Sequence, residues 1–226
     1  MHHSALFFFV LSETSECFLL TVMSYDRYLA ICYPLHYVSI MSQVLCITFV
    51  VVAWLLSSFL TSFIIHGVCS LEFCGPNIID QFFCDFYPVL KLSCSDTSMV
   101  QMESTLLCTA VIALPFLLIA LSYIYIALTI LKISSSSGRL KSFSTCSSHL
   151  TVVSIFYGTL LSMYVLPNEG QSQHEEQSQM ISKILTLLYT VFTPFLNPFI
   201  YSLRNKDIKN ALGYIMHTKK SLERQC

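Results

Sequence analysis

The sequence predicts an all-α protein, a polytopic bundle of membrane-crossing helices. Three observations carry that reading. Of the 226 residues, 54% are hydrophobic and 11% charged, whereas a soluble domain carries about 25% charged residues; the mean hydropathy is +0.66. The apolar residues are gathered into blocks, each near the ~20 residues that a helix needs to cross a ~30 Å hydrocarbon layer. Ten of the twelve basic residues fall on one side of the alternation that these blocks create.

The first block, residues 5–26, contains Glu13 and Glu16 and has the weakest hydropathy support. A cleaved signal peptide is the alternative, but no basic region precedes the block and two glutamates interrupt its middle. No acid or base occurs between Arg27 and Glu72, and residues 43–65 (QVLCITFVVVAWLLSSFLTSFII) read as the second span. Glu103 and Lys132 bracket the third, residues 104–131, long enough to cross with some tilt. Lys141 and Glu169 bracket the fourth, 143–166, and Lys183 and Arg204 bracket the fifth, 181–203.

Orientation follows from the bases. Arg27, then Lys132, Arg139 and Lys141, then Arg204, Lys206, Lys209, Lys219, Lys220 and Arg224 share one side, with only Lys91 and Lys183 opposite. The positive-inside rule makes that side cytoplasmic, so the N-terminus lies outside and the C-terminus inside. The acids Glu72, Asp80, Asp85, Asp96, Glu169, Glu175 and Glu176 collect outside, a polarity that the net charge of −1 conceals. A nucleic-acid binder would carry a basic face instead. The lipid bilayer is the first partner implied.

The outer loop, residues 67–103, holds Cys74, Cys84 and Cys94 at ten-residue intervals. An oxidising exterior favours disulfides, yet three cysteines leave one to pair elsewhere or stay free. Zinc ligands usually come in close C-x₂₋₄-C pairs, which this loop lacks. The inner stretch ISSSSGRLKSFSTC is polar and basic and reads as a break between helices. In the tail, Ile208, Ala211, Leu212 and Ile215 share one helical face among bases, which suits a short amphipathic helix over 206–216 on the inner membrane surface. No glycosylation sequon occurs, and the final ERQC is not a prenylation box.

Ionisable residues inside spans are functional candidates by default. Glu16 lies eleven positions before Arg27, about 16 Å along a helix, and needs a cation, a proton or a polar partner. Glu13, one turn earlier, suits the polar end of a ligand pocket. Asp26 and Arg27 stand at the inner boundary; as neighbours they point in different directions and are not expected to neutralise one another face to face. Their aromatic flank, Tyr25, Tyr28 and Tyr33, is longer than an anchor requires. The last span ends PFLNPFIY, where Pro194 and Pro198 interrupt the ladder, Asn197 can satisfy a freed carbonyl, and Tyr201 follows the bend. Enzyme chemistry is not expected: the chain has no G-x-S-x-G, no H-E-x-x-H, and no acid in the fourth span to orient His149 beside Ser147 and Ser148. No cofactor motif is present.

These segments together resemble the odorant (olfactory) receptors, a family of rhodopsin-like G-protein-coupled receptors. MSYDRYLAICYPLHY resembles the family's signature at the inner end of its third helix, and CGPNIIDQFFCDFYPVLKLSCSDT its second outer loop. LSYIYI resembles the fifth helix, KSFSTCSSHLTVVSIFYGT the sixth, and PFLNPFIYSLRNKDIKNAL the seventh with the short helix after it. DRY alone would indicate only the broad superfamily; the outer-loop and KSFSTCSSHL patterns are narrow, and CGPNIIDQFFCD is similar to the airborne-odorant branch. The likeness covers essentially the whole chain, as five of the family's seven helices.

The resemblance implies a plasma-membrane receptor for a small volatile hydrophobic odorant that activates a heterotrimeric G protein of the stimulatory, olfactory type. It implies a ligand site lined by Phe9, Val10, Glu13, Thr14, Leu107, Cys108, Val111, Tyr157, Leu160, Leu161, Tyr164 and Leu187, apolar with a few polar handles. It implies a G-protein switch of Asp26, Arg27, Tyr28, Tyr123, Asn197, Pro198 and Tyr201, in which Asp26 holds Arg27 when inactive, and a sodium site at Glu16. The sequence departs from the pattern by starting before the third helix. The helix-two carboxylate expected to share a cation with Glu16 is then missing. The family cysteine at the outer end of helix three falls at His2, which leaves Cys84 without its usual partner and Cys74 and Cys94 free to pair. Three functions follow: a working odorant receptor seen as a fragment; a truncated, non-signalling receptor product of a decaying gene; or, in another class, a five-span channel or transporter, for which no inverted repeat speaks.

Overall fold

The computed structural model describes residues 2–74 and 86–165, together with positions 183, 184, 187 and 190. Among the described residues the named helices are, in order, α1 (His2–Cys32), α2 (Tyr37–Ile40), α3 (Gln43–Cys69), α4 (Phe86–Leu90), α5 (Ser98–Lys132) and α6 (Ser136–Val165). The expected fifth span, the 206–216 helix, Cys84, Asn197, Pro198 and Tyr201 lie outside the described residues. The chain runs up and down, so Arg27, the start of α3 and the end of α5 share one end of the bundle. The start of α1, the end of α3 and the start of α5 share the other.

Local chemistry sets the boundaries. Pro34 restricts Tyr33 to extended backbone, and α1 stops at Cys32. Ser42 opens α3 as an N-cap, its hydroxyl oxygen accepting from the Leu45 N–H at 3.3 Å. Asp96 accepts from the Ser98 N–H at 3.0 Å and from its hydroxyl at 2.6 Å at the start of α5; those bonds hold the exposed Asp96 carboxyl below its ordinary pKa. The α5–α6 connection is shorter than expected. Residues 136–142, read from sequence as part of a break, already belong to α6, because the Ser135 hydroxyl oxygen caps it by accepting from the Gly138 N–H at 3.2 Å.

Helices α1, α3 and α5 are each long and apolar enough to cross a membrane. Helix α6 has 30 residues but a lower hydropathy, because serines and threonines recur along it. Those hydroxyls donate within the helix, Thr151 to the Ser147 carbonyl at 2.7 Å and Thr159 to that of Ile155, which makes them tolerable in hydrocarbon.

The faces follow from spacing. Ala53, Ser57, Thr61, Ile64 and Val68 form the buried stripe of α3; small residues there let backbones approach, the usual device where lipid gives no hydrophobic drive to helix pairing. Trp54, Leu55, Phe59 and Phe63 cover its exposed side. Helix α1 is the central element, packed along both α3 and α5, which meet each other much less. At the end opposite Arg27, α3 and α5 come together where Gly67 faces Val100: a Cβ on Gly67 would stand 3.4 Å from a Val100 methyl. Pro115 is buried inside α5.

A clasp closes that same end. Cys74 and Cys94 form a disulfide, Phe73 and Ser93 pair as an antiparallel bridge, and the Glu72 carbonyl accepts from the Cys94 N–H at 2.9 Å. Val89 and Leu90 of α4 plug into the core beside Leu6 and Val68.

Candidate functional site

At the Arg27 end, the Arg27 guanidinium lies 3.0 Å from the Asp26 carboxylate. This corrects the expectation that adjacent residues would not meet. Cβ directions diverge between neighbours, but the long arginine side chain bends back across the helix surface and reaches its neighbour. The second Asp26 oxygen accepts from the Tyr37 hydroxyl at 2.7 Å, so α2 is tied to α1 through the same carboxylate. That bond is the main reason the Tyr37 phenol is pushed up from 10 to about 12.

Around this pair the aromatic flank is in contact. The Tyr28 ring meets Tyr33 at 5.7 Å and Tyr125 at 6.1 Å, edge to face in both cases. Cys32 and Thr129 face each other at 3.2 Å between sulfur and hydroxyl, which links the ends of α1 and α5.

About two turns deeper, His149 joins three helices. Its Nδ1 is 2.8 Å from the Tyr123 hydroxyl on α5, and its Nε2 is 3.1 Å from the Leu20 carbonyl on α1. A carbonyl can only accept, so Nε2 carries the proton and Nδ1 accepts from tyrosine, an arrangement that suits a neutral imidazole. The two rings also stack, at 14° and 5.7 Å. Leu20 and His149 are both almost fully buried.

Toward the clasp end the arrangement is apolar. Phe9, Val10, Tyr157 and Leu160 are buried in one cluster with Leu6 and Phe156, and Leu107 and Cys108 pack against it. Thr14 is buried on α1, Glu13 and Val111 are half-buried, and Glu16 is buried. The Tyr157 ring touches Phe116 at 5.1 Å, and its hydroxyl faces the Cys17 thiol. Among the described residues, that hydroxyl has no oxygen or nitrogen partner. Leu161 is a correction: it is 62% exposed and does not join the cluster, since a leucine on the outer side of α6 loses nothing against lipid. Tyr164 lies in the last turn of α6, and Leu187 is a half-buried helical position.

No group of three or more His, Cys, Asp or Glu side chains converges to hold a metal among the described residues.

Sequence reasoning gave His149 no role beyond that of a rejected catalytic base, and it missed Tyr37. A signal for the first was present: a titratable side chain deep in an apolar block, with a tyrosine on the preceding helix. Nothing in the sequence marked Tyr37 as the partner of Asp26.

Antiparallel apolar helices, with a disulfide clasp at one end and a carboxylate–guanidinium–tyrosine cluster at the other, define a membrane-embedded helix bundle. The comparisons narrow the class. The family model for olfactory receptors matches residues 2–219. The chain is 46% identical over 215 residues to olfactory receptor 1468 of Rattus norvegicus and 45% identical over 216 residues to olfactory receptor 1E1 of Pan troglodytes. It is 44% identical over 216 residues to olfactory receptor 1E1 of Homo sapiens. These alignments cover 95 to 96% of this chain and 67% of each relative. The chain belongs to the olfactory receptor family. It is a multi-pass membrane protein of a receptor family, not of an enzyme family.

Proposed function

We propose that the chain binds a small, volatile, hydrophobic odorant among α1, α5 and α6, and that it passes the signal to a stimulatory, olfactory-type G protein at its Arg27 end. That end faces the cytoplasm in this reading, as the concentration of bases there requires. The observation that carries the proposal is the Asp26–Arg27–Tyr37 cluster. A bonded arginine at the edge of a bundle is one state of a two-state element, and a ligand that binds the other state better shifts the balance.

The ligand class follows from the lining. Phe9, Val10 and Leu160 reward apolar area, and the Tyr157 hydroxyl supplies a neutral polar handle. Glu13 and Thr14 extend the polar side along α1. A charged ligand would have to shed its hydration against a mostly apolar wall.

The test is ligand-dependent cyclic-nucleotide production in cells that supply the olfactory-type G protein, with surface-expressed protein scored in parallel. Arg27→Ala is expected to abolish the response at unchanged surface expression. A response that survives the substitution removes Arg27 from the switch. Wild-type protein at the surface that answers no odorant supports a non-signalling receptor product instead.

A further inference from the structure

Away from the ligand candidates, a groove of about 470 Å³ opens on the lipid-facing side of α1, α3 and α5. Its volume is within the range of small-molecule sites, about 300 to 1,000 Å³. The lining is graded with depth. Thr21 and Val22 of α1 with Leu118 and Leu121 of α5 make the deep end, and four aromatic rings make the end at the Arg27 boundary: Tyr25 and Tyr28 of α1, Phe49 of α3 and Tyr125 of α5. The rings form a continuous chain. Phe49 meets Tyr25 edge to face at 6.1 Å, Tyr25 lies 6.3 Å from Tyr28, and Tyr28 meets Tyr125 at 6.1 Å. Tyrosines that only anchor a helix at the membrane surface stand singly at the headgroups. Here three helices set their rings around one cavity.

From this aromatic box we infer that the chain binds a single-chain amphiphilic ammonium, a quaternary or protonated amine on an apolar tail, with its head among the rings and its tail toward Leu118. Three features select that occupant. Ring faces carry negative charge density, so they attract an ammonium and disfavour a phosphate or carboxylate. No lysine, arginine or histidine lines the groove, and Arg27, beside it in sequence, is held by Asp26 at 3.0 Å. The rings lie at the depth of Arg27, where a charged head keeps its contact with water, as side chains near helix ends do.

Other occupants fit less well. A purely apolar ligand gains little, because lipid tails are as apolar as leucine; what the bilayer does not offer a cation is a set of aromatic faces. A two-chain phospholipid brings a phosphate beside its ammonium, and the groove holds no base to receive it. The tail follows from the deep end. Leu118 to Tyr125 extends about 10 Å along α5, room for a short alkyl chain beside Val22 and Leu121. Tyr28 also meets Tyr33 at 5.7 Å, on the flank of the Asp26–Arg27 pair, so occupancy bears on the packing there. Binding requires no odorant at the Phe9–Tyr157 cluster.

The experiment reconstitutes the full chain in digalactosyldiacylglycerol vesicles, which carry neither choline nor net charge, and photolyses it with decyltrimethylammonium bearing a diazirine at the far end of its tail. A second probe is identical but ends in tert-butyl in place of trimethylammonium. Label in the groove is divided by label at Leu55 and Phe59, which are exposed on α3, so that partitioning into the bilayer cancels. The ammonium probe is expected to label Val22, Leu118 and Leu121 about tenfold more than the neutral probe does, a difference of ~1.4 kcal/mol and the size of two exposed cation–π contacts. Phe49→Leu and Tyr125→Leu each remove one ring and keep an apolar side chain. Each is expected to reduce that preference about threefold and to leave labelling by the neutral probe unchanged. Equal labelling by the two probes overturns the inference, and that comparison needs no substitution, so it stands even if a variant fails to fold. Label from the tail diazirine on Tyr28 and Tyr125 instead of the deep end overturns it too, since the head would then lie away from the rings. Loss of the label when phosphatidylcholine replaces the galactolipid assigns the rings to a lipid headgroup and likewise overturns it.

Discussion

The two ends of the bundle are built on different principles. At the Arg27 end, named polar contacts set the structure: Arg27 to Asp26, Asp26 to Tyr37, Cys32 to Thr129, and Tyr123 through His149 to Leu20. Toward the clasp, Phe9, Val10, Phe156, Tyr157 and Leu160 meet mainly through apolar packing, and a disulfide closes the top. Hydrogen bonds are directional and are either made or broken, so the first region suits discrete states. Packed apolar side chains accept a range of shapes at graded cost, so the second suits selection among hydrophobic ligands.

The largest effect that would test this contrast is at the clasp. Replacing Cys74 and Cys94 together by serine is expected to cost about 3 kcal/mol, as a loop of this length implies, read as a lower unfolding temperature in lipid nanodiscs. Because the disulfide restrains the apolar end, odorant response should weaken with stability. If basal G-protein output changes at unchanged stability instead, the two ends are not separable.

Next is Phe156→Ala, in the apolar core. In a soluble core such a truncation costs about 3 to 5 kcal/mol. Here the displaced ring finds lipid in the unfolded state, so the transfer share falls away and the packing share remains, about 2 kcal/mol. Thermal unfolding measures it, and a small apolar molecule that fills the void should restore part of the loss.

His149→Phe probes the polar end. The ring volume is kept, while the bonds from His149 to the Tyr123 hydroxyl and to the Leu20 carbonyl are both lost, a penalty of about 1 to 3 kcal/mol. Its distinguishing readout is basal G-protein output, which is expected to shift while odorant selectivity stays. A change of selectivity with constant basal output would place His149 in the ligand region instead.

Much of the architecture could be read in the sequence because lipid imposes simple rules. The charge-free stretch between Arg27 and Glu72 announces α3, and Ser42 supplies its cap. The backbone runs on to Cys69 because a helix outlasts the apolar run that crosses the membrane. Helix α1 was harder to read, since Glu13 and Glu16 lower its hydropathy although Glu16 is buried in the bundle. The serine-rich approach to α6 misled because serine both breaks and caps helices, and only the bond from Gly138 to Ser135 shows which. At the site, the adjacency rule for Asp26 and Arg27 describes where side chains start, whereas the length of arginine decides where they end. The link between Tyr37 and Asp26 depends on how α2 folds back, which no periodicity encodes.

That last contact gives the smallest prediction and the sharpest test of the polar end. Tyr37→Phe removes one hydrogen bond to a carboxylate at a half-buried position, about 1 kcal/mol after solvent screening, too little to unfold the bundle. Its sign with pH is fixed. The Tyr37 phenol is raised to about 12 in the folded chain, so the stabilisation is fully present below the unfolded value near 10 and is lost as pH rises through about 12. Between those limits, wild-type stability should fall more steeply than that of Tyr37→Phe, and at neutral pH the two should differ by a constant. Because Tyr37 and Arg27 share the Asp26 carboxylate, the variant leaves that carboxylate with arginine as its remaining partner. If basal signalling falls, Asp26 then grips Arg27 harder and Tyr37 normally competes for it. If basal signalling rises, Tyr37 instead orients Asp26 toward Arg27 and is part of the restraint.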